Sequence, residues 1–332
     1  MDEFLSRYWL NQHLFCRRAA DRFSALLSWT ALNDILEHHW RETYRFRLAC
    51  QGRDLEPASY ADLEGAIPRI RAKDLTDQLR LGATLSFDGA DEVHEPLRRL
   101  AESFEAFFQG GTQVNIYAGW RALHGLDLHR DNQEIFILQL DGRKRWLLYG
   151  SSVDEVNRSE LTDRSVPPCG ALLDQILGPG DLLYIPRGCY HVAVPMNEPA
   201  LHLTVGVKNP RARPSEAGSD CKPRPSFSLP WSATSQLLPA GGDFLVRLTV
   251  HAHLVMHGDS PAGAVELLAS GRRYRFPQSM RAIIEPLRHG APMQIGQLTD
   301  AVGGELDEGA VRLLVGMLLK HGLVAIRARD DE

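Results

Sequence analysis

Between Gln113 and Val207 the chain is a succession of short apolar or alternating runs separated by turn residues: TQVNIYAGW, EIFILQLDGRKRWLLYG, GDLLYIPRG, HVAVP and ALHLTVGV. Runs this brief and this closely spaced bury their faces only when many strands share one core, so the region predicts a sandwich or barrel. The preceding part, residues 1 to about 110, has a different texture. LFCRRAADRFSALLSWTALNDILEHHW and LRRLAESFEAFF (97–108) place apolar residues three and four apart, which predicts helices packed around the later strands.

The strand region ends at KNPRARPSEAGSDCKPRPSFSLPW, where prolines at 210, 214, 223, 225 and 230 forbid a helix interior or a central strand. Beyond this boundary, residues from about 242 to 258 (with DFLVRLTVHAHLVM) read as a helix. The last segment reads as three helices, SMRAIIEPLRHG, IGQLTDAVGG and DEGAVRLLVGMLLKHG, followed by the apolar run LVAIRA. The first and third end at a glycine able to cap in the left-handed conformation. Three divisions result: 1–208, a strand-rich domain with N-terminal helices; 209–258, a linker and helical connector; and 259–332, a winged-helix-like domain. The length of 332 residues suits more than one domain, at about 150 residues each.

The winged-helix pattern raises the question of DNA. From Met256 onward there are 9 Lys+Arg against 10 Asp+Glu, and the whole chain carries 37 against 42, so the basic surplus of a groove reader is missing and direct DNA binding is not expected. No apolar run approaches the roughly 18–20 residues that span a bilayer, and the opening MDEFLSRYWLNQ is too polar for a secretory signal, which predicts a cytoplasmic protein without a membrane role. Cys16, Cys50, Cys169, Cys189 and Cys221 are odd in number and scattered, without a C-x-x-C pair, and read as reduced thiols.

Chemistry enters with His129-Arg130-Asp131. On a strand, residues two apart share a face, so an imidazole and a carboxylate at this spacing can meet one ion. H-x-D alone is a common chance pattern. The third ligand comes from Gly180-Asp-Leu-Leu-Tyr-Ile-Pro186-Arg-Gly188-Cys-Tyr-His191: a turn glycine, a short apolar strand, a Pro/Gly turn, then His191 at the start of the returning strand. Two imidazoles and a carboxylate about 60 residues apart in a strand-rich region make the facial triad of a non-haem Fe(II) oxygenase, although the same donors accept manganese or nickel. His124 and Asp127 form a rival H-x-x-D set, but a spacing of three divides them between opposite strand faces. They read as part of the loop leading to the triad, in reach of a substrate. Trp120 and Trp146 read as core or rim aromatics.

NIYAGWRALHGLDLHRDNQEIFILQLDGRKRWLLYG, followed by PGDLLYIPRGCYH and ALHLTVGV, resembles the JmjC-type ribosomal oxygenases, the cupin-4 group of 2-oxoglutarate-dependent protein hydroxylases. The resemblance covers residues 8 to about 207, with weaker signals in the rest. It implies an α+β chain: a double-stranded β-helix (cupin/JmjC) barrel with flanking helices, a helical connector and a C-terminal winged-helix-like domain. It also implies Fe(II), 2-oxoglutarate as co-substrate and O2. By position Lys144, 15 residues after His129, matches the family's basic residue for the distal carboxylate of 2-oxoglutarate, a charge that needs a partner once partly desolvated. The competing reading of Lys144 is a solvated strand residue like its neighbours Arg143 and Arg145. Tyr117 matches the tyrosine that helps hold the same carboxylate and Thr204 a late-strand hydroxyl, while Asn115 and His202 are further pocket residues whose facing alternation leaves open.

The family acts on arginine or histidine side chains of ribosomal proteins, which makes a basic ribosomal segment the default target, compatible with the net charge of -5. A biosynthetic peptide or a small molecule remains an alternative substrate. A metal-dependent cupin isomerase and a non-catalytic cupin acting as a binding or regulatory protein are the readings from other classes. A homodimer formed mainly by residues 212–258 is also implied.

Overall fold

A computed structural model describes residues 2–64, 67–150, 170–208, 227–233, 238, 244–249, 252–255, 264–269, 272–287, 292–304 and 306–328. The chain divides into two compact units, Met1–Phe104 with Thr112–Pro210, and Glu105–Gly111 with Arg211–Glu332.

Up to Lys208 the elements run β1 (Leu14–Cys16), α1 (Trp29–His39), β2 (Phe46–Cys50), β3 (Arg53–Asp54), β4 (Ala61–Asp62), β5 (Arg69–Ile70), α2 (Ala72–Leu81), β6 (Thr84–Phe87), α3 (Glu95–Phe108), β7 (Gly111–Gly119), β8 (Glu134–Asp141), β9 (Lys144–Tyr149), β10 (Ala171–Leu177), β11 (Leu182–Ile185), β12 (Tyr190–Pro195) and β13 (Ala200–Lys208). An eight-stranded sheet has the order β1-β11-β8-β13-β7-β6-β2-β3, and a three-stranded sheet the order β10-β9-β12. The two face each other as a double-stranded β-helix. Ile135, Ile137, Leu183 and Ile185 of the large sheet pack with Trp146, Leu148 and Leu177 of the small one, each at most 3% exposed. The strand EIFILQLD is buried almost throughout because its outer face is covered too: Phe136 packs on Phe4, Trp9, Phe104 and Tyr184, with ring centroids 5.0–6.1 Å apart. Burial on both faces removes the hydrophobic alternation that a one-sided strand would show.

The stretch 14–40 is only partly the expected helix. Leu14–Cys16 pairs antiparallel with Tyr184–Leu182 as an edge strand, and the helix begins only at Trp29, where the Ser28 side chain accepts from the Ala31 N–H at 3.1 Å. A sheet edge with unpaired backbone groups outweighs three residues of helical periodicity. Residues 97–108 do lie in the expected helix, α3.

In the second unit β14 (Phe244–Leu248), β15 (Ala252–Val255), β16 (Ala264–Ala269) and β17 (Arg272–Pro277) precede α4 (Met280–Leu287), β18 (Met293–Gln294), α5 (Ile295–Ala301), α6 (Glu308–Lys320) and β19 (Val324–Ala328). The helical connector read over 242–258 is therefore corrected: within it β14 and β15 are strands. Phe244 and Val246 are buried with half-buried Leu245 between them, the period of two rather than 3.6, and β14 finds partners in β18 and β19. The three C-terminal helices and the closing strand form as expected, around Val246, Ile283, Leu298, Val311, Leu318 and Ile326. After α6, Gly322 takes φ +66° and lets the Leu323 N–H reach the Leu318 carbonyl at 2.9 Å. Gly290, read as the other capping glycine, lies outside the described residues, as does most of the proline-rich stretch after Lys208.

Among the described residues no helix is long and apolar enough to cross a membrane. Cys16, Cys50 and Cys189 are free thiols; Cys169 and Cys221 lie outside the described residues.

Candidate active site

The H-x-D segment is not a regular strand. His129 makes a single antiparallel bridge to His191, with N–H to carbonyl distances of 3.2 and 2.8 Å, and the Asp131 carbonyl accepts from the Gly188 N–H at 2.8 Å. The turn Pro186-Arg187-Gly188, where Gly188 takes φ +79°, thus staples the two ligand-bearing stretches together. The result matches what the spacing predicts: ligand atoms of His129, Asp131 and His191 all lie within 4.8 Å of one another, with Asp131 Oδ2 3.9 Å from His129 Nε2 and 3.5 Å from His191 Nε2.

Each imidazole is held by its other nitrogen. His129 Nδ1 donates to the Asp127 carbonyl at 2.8 Å and His191 Nδ1 to the Cys189 carbonyl at 3.0 Å. A carbonyl only accepts, so both protons are fixed on Nδ1 and both Nε2 lone pairs face Asp131. Burial, with His129 alongside, pushes the His191 imidazole down to about 4, which keeps it neutral as a ligand must be. Two imidazoles and one carboxylate on one side of a point, with no fourth His, Cys, Asp or Glu donor among the described residues, fit a divalent first-row metal that keeps open positions.

A pocket of about 60 Å³ opens from the triad, and Lys144, Tyr117, His202 and Thr204 line it. Lys144 is buried rather than solvated, at 2% exposure, while its neighbours Arg143 and Arg145 face outward and pair with Glu198 and Asp174. Its Nζ donates to His202 Nδ1 at 2.9 Å. Burial pushes the ammonium down to about 7, and burial with the lysine charge takes His202 well below the ordinary histidine range. The His202 ring lies flat on Tyr117, centroids 5.0 Å apart at 7°. Burial raises the Tyr117 phenol to about 12, so it stays a hydroxyl donor.

Asn115 is not in this lining. It shares the face of Tyr117 two residues away, and its carbonyl oxygen accepts from the Gly89 N–H and from Gln113 Nε2, both at 2.9 Å. His124 and Asp127 meet each other instead of the triad, Nε2 to Oδ1 at 3.0 Å, in a loop docked on the β2–β3 hairpin by Gln51 and Gly52 N–H bonds to the carbonyls of His124 and Gly125. Gly52 has φ +73°, and a Cβ there would stand 1.9 Å from the Asp127 carboxyl carbon. Trp120 packs on Trp29. Sequence reasoning missed Trp146 as a pocket residue, although its place two residues after Lys144 puts both on one face; it also missed Thr84, Leu126, Ala193 and Pro195, which carry no motif.

Residues 91–214 match the family model of the JmjC domain. The chain is 39% identical over 135 residues to ribosomal oxygenase 2 of Rattus norvegicus, a match covering 40% of this chain and 28% of that protein. To the bifunctional lysine-specific demethylase and histidyl-hydroxylase NO66 of Drosophila grimshawi it is 28% identical over 213 residues, 62% of this chain and 29% of the relative. The chain thus spans less than a third of the length of either curated relative. Among solved structures it is similar to YcfD, a ribosomal oxygenase of Escherichia coli, with TM-score 0.59 at 18% identity over 98% of both chains. Another YcfD structure, in complex with cobalt and 2-oxoglutarate, gives TM-score 0.58 at 17% identity, again over 98% of both chains. These likenesses show the fold.

Proposed function

From a chain that carries a JmjC domain and is built like the ribosomal oxygenases, we propose an Fe(II)- and 2-oxoglutarate-dependent oxygenase that hydroxylates a protein side chain, with His129, Asp131 and His191 as the metal ligands. The observation that carries this reading is the pairing of a three-donor metal site with a buried lysine in one pocket. Bound Fe(II) would let O2 decarboxylate 2-oxoglutarate to succinate and carbon dioxide while the second oxygen atom enters a substrate C–H bond.

The chain's own residues bind, orient and exclude. Lys144 takes one carboxylate of 2-oxoglutarate, with the Tyr117 hydroxyl and Thr204 as neutral donors beside it. His202, neutral and stacked on Tyr117, holds the lysine side chain at the pocket floor. Asn115 supports from the next turn of the pleat by fixing the Gly89 backbone. Ile135, Ile137 and Trp146 keep this end dry, which strengthens the ion pair that Lys144 makes. The donor set suits the two ligands of the YcfD complex, cobalt and 2-oxoglutarate.

The substrate is an Arg or His side chain of a ribosomal protein. The names of the relatives, ribosomal oxygenase and histidyl-hydroxylase, support a protein target. A small-molecule or biosynthetic-peptide substrate is the second reading. Residues 1–208 form the catalytic domain and 259–332 the winged-helix-like domain. A homodimer formed mainly by residues 212–258 is part of the same proposal, although β14 within that stretch is already paired on both edges by β18 and β19. Purified protein with Fe(II), ascorbate and ribosomal protein should convert 2-oxoglutarate to succinate and add about 16 Da, one oxygen atom, to a target peptide. No succinate with any ribosomal extract would count against the ribosomal target, and failure of the metal-loaded protein to bind 2-oxoglutarate would sink the oxygenase reading; succinate without a ribosomal product would move the target elsewhere. The dimer is checked by light scattering, where a monomer mass rules it out.

A further inference from the structure

β1 ends the large sheet and β10 ends the small one, and among the described residues each pairs with a strand on one edge only. Phe15 of β1 and Leu173 of β10 are both half-buried and pack on the same core cluster, so the two free edges flank one side of the sandwich. Free edges are usually blunted by charge or covered, because their N–H and C=O groups otherwise recruit another chain. β10 has a single charge there, Asp174, between two exposed apolar residues, Leu172 at 56% and Ile176 at 39%.

At this side lies an open groove of about 800 Å³, lined by Arg17 and Arg18 just after β1, by Arg143 and Arg145 at the start of β9, and by Asp174 to Ile176 of β10. Arg143 pairs with Glu198 and Arg145 with Asp174. The second aspartate of the lining, Asp181, faces backbone and accepts from the N–H groups of Arg18 and Gly178 at 3.3 and 2.9 Å. The guanidiniums of Arg17 and Arg18 meet no carboxylate among the described residues. Arg17 lies over the Phe15 ring at 5.8 Å, and Arg18 donates to the Arg17 carbonyl at 3.3 Å. Four arginines against two aspartates leave the groove a surplus of two positive charges, in a chain whose net charge is -5.

Arginines serve phosphates and carboxylates alike, but the rest of this surface favours a peptide. A main chain completes an open strand edge and its alternate side chains cover apolar neighbours, whereas a nucleic acid does neither. Single strands of nucleic acid also need bare aromatic faces on which to stack, and the Phe15 ring is overlain by Arg17.

We propose that this edge is a docking site for an extended acidic segment of a partner protein, which adds a strand to β10 and sets carboxylates on Arg17 and Arg18. The site lies across β9 from the metal pocket: Lys144 points into that pocket, while Arg143 and Arg145 point out to the groove. It needs no particular chemistry at the triad.

The test pans phage displaying random peptides of about ten residues, one strand with flanks, against the full chain. Enriched sequences should alternate acidic with apolar residues. As synthetic probes they should bind more weakly when salt is raised and should protect amides of Ala171–Leu177 from hydrogen exchange. R17E/R18E should weaken them about tenfold or more and leave Mn(II) affinity unchanged. Both side chains are exposed, and the Arg18 N–H that Asp181 holds is kept in the variant. If charge reversal unfolds the chain, R17Q/R18Q replaces it with the same expectation. No enrichment, or enrichment of sequences without acidic residues, overturns the proposal. So do peptides that bind the variant as they bind the wild type, or that leave the β10 amides unprotected. A single-stranded oligonucleotide that binds more tightly than every enriched peptide, and is lost in R17E/R18E, makes the groove a phosphate reader and overturns it too.

Discussion

At the triad end of the pocket His129 and Asp131 lie outside regular strands and stay about a third open, 34% and 33% for their side chains, while His191 at the start of β12 is buried. At the other end Lys144 and His202 lie within strands of the two sheets at 2% and 4% exposure. The first end is oriented by backbone carbonyls and is complete as a donor set. The second is enclosed and incomplete: an amine that donates to a neutral imidazole, with no carboxylate paired to it among the described residues. Open ends admit and exchange ligands, whereas a buried amine without a carboxylate gives up its proton easily and keeps it firmly only when a countercharge arrives.

The largest effect that could break this contrast is at the open end. Changing His129 or Asp131 to Ala should cost metal affinity more than the roughly 10–100-fold that removal of an outer partner costs. Calorimetric titration with Mn(II) checks it, and near-normal binding would mean that the three donors are not the site. The Lys144 end should be silent in that assay.

Lys144→Ala should weaken 2-oxoglutarate about 100-fold and leave metal binding alone, since a charged hydrogen-bonded pair in a dry site is lost. The pH dependence separates the ends further. Burial lowers Lys144 from 10.5 to about 7, so between those values the folded protein holds fewer protons here than the unfolded chain. Its contribution to stability therefore rises with pH over that window, and the burial penalty is complete below about pH 7. Ligand binding runs the opposite way, because the carboxylate needs the ammonium. The dissociation constant for 2-oxoglutarate should climb by up to about tenfold per unit above pH 7, and K144R, whose guanidinium stays charged, should lose that slope. A K144R slope equal to the wild type would place the titrating group elsewhere.

A smaller effect tests how the open end is aimed. The Asp127 carbonyl that fixes His129 belongs to a loop docked on Gly52, and a Cβ at Gly52 would collide with the Asp127 carboxylate. Gly52→Ala should lower metal affinity about tenfold, and the left-handed backbone adds about 1–2 kcal/mol of instability. Thermal melting with and without Mn(II) reads both. Unchanged metal affinity would mean that the loop does not aim His129.

The proposed triad was legible because metal ligands must converge, and convergence leaves a spacing: two residues apart in H-x-D, and the start of the strand that follows a Pro/Gly turn for His191. Lys144 was legible only through resemblance, because three cations in a row, Arg143-Lys144-Arg145, look alike until the pleat assigns their faces. Trp146 was overlooked, since an aromatic at an inward position is ordinarily core. The connector misled because Leu245 and Leu254 blur the alternation of β14 and β15, and the strand partners β18 and β19 lie about 50–80 residues downstream. Long-range pairing is what local periodicity cannot register.

The smallest expected effect is at Arg145, one residue from Lys144 and on the other face. Its guanidinium pairs with Asp174 across β9 and β10, both side chains about half exposed, 49% and 47%. Water and salt screen such a pair, so Arg145→Ala should change stability by less than about 1 kcal/mol and leave 2-oxoglutarate affinity within about twofold. The comparison with Lys144→Ala has identical chemistry at the level of charge, one cation removed from the same strand one position apart. If both variants weakened 2-oxoglutarate alike, the pocket would be acting through its general positive potential, and the enclosed end would lose its special standing. If only Lys144→Ala does, the difference belongs to burial, set by a strand period of two.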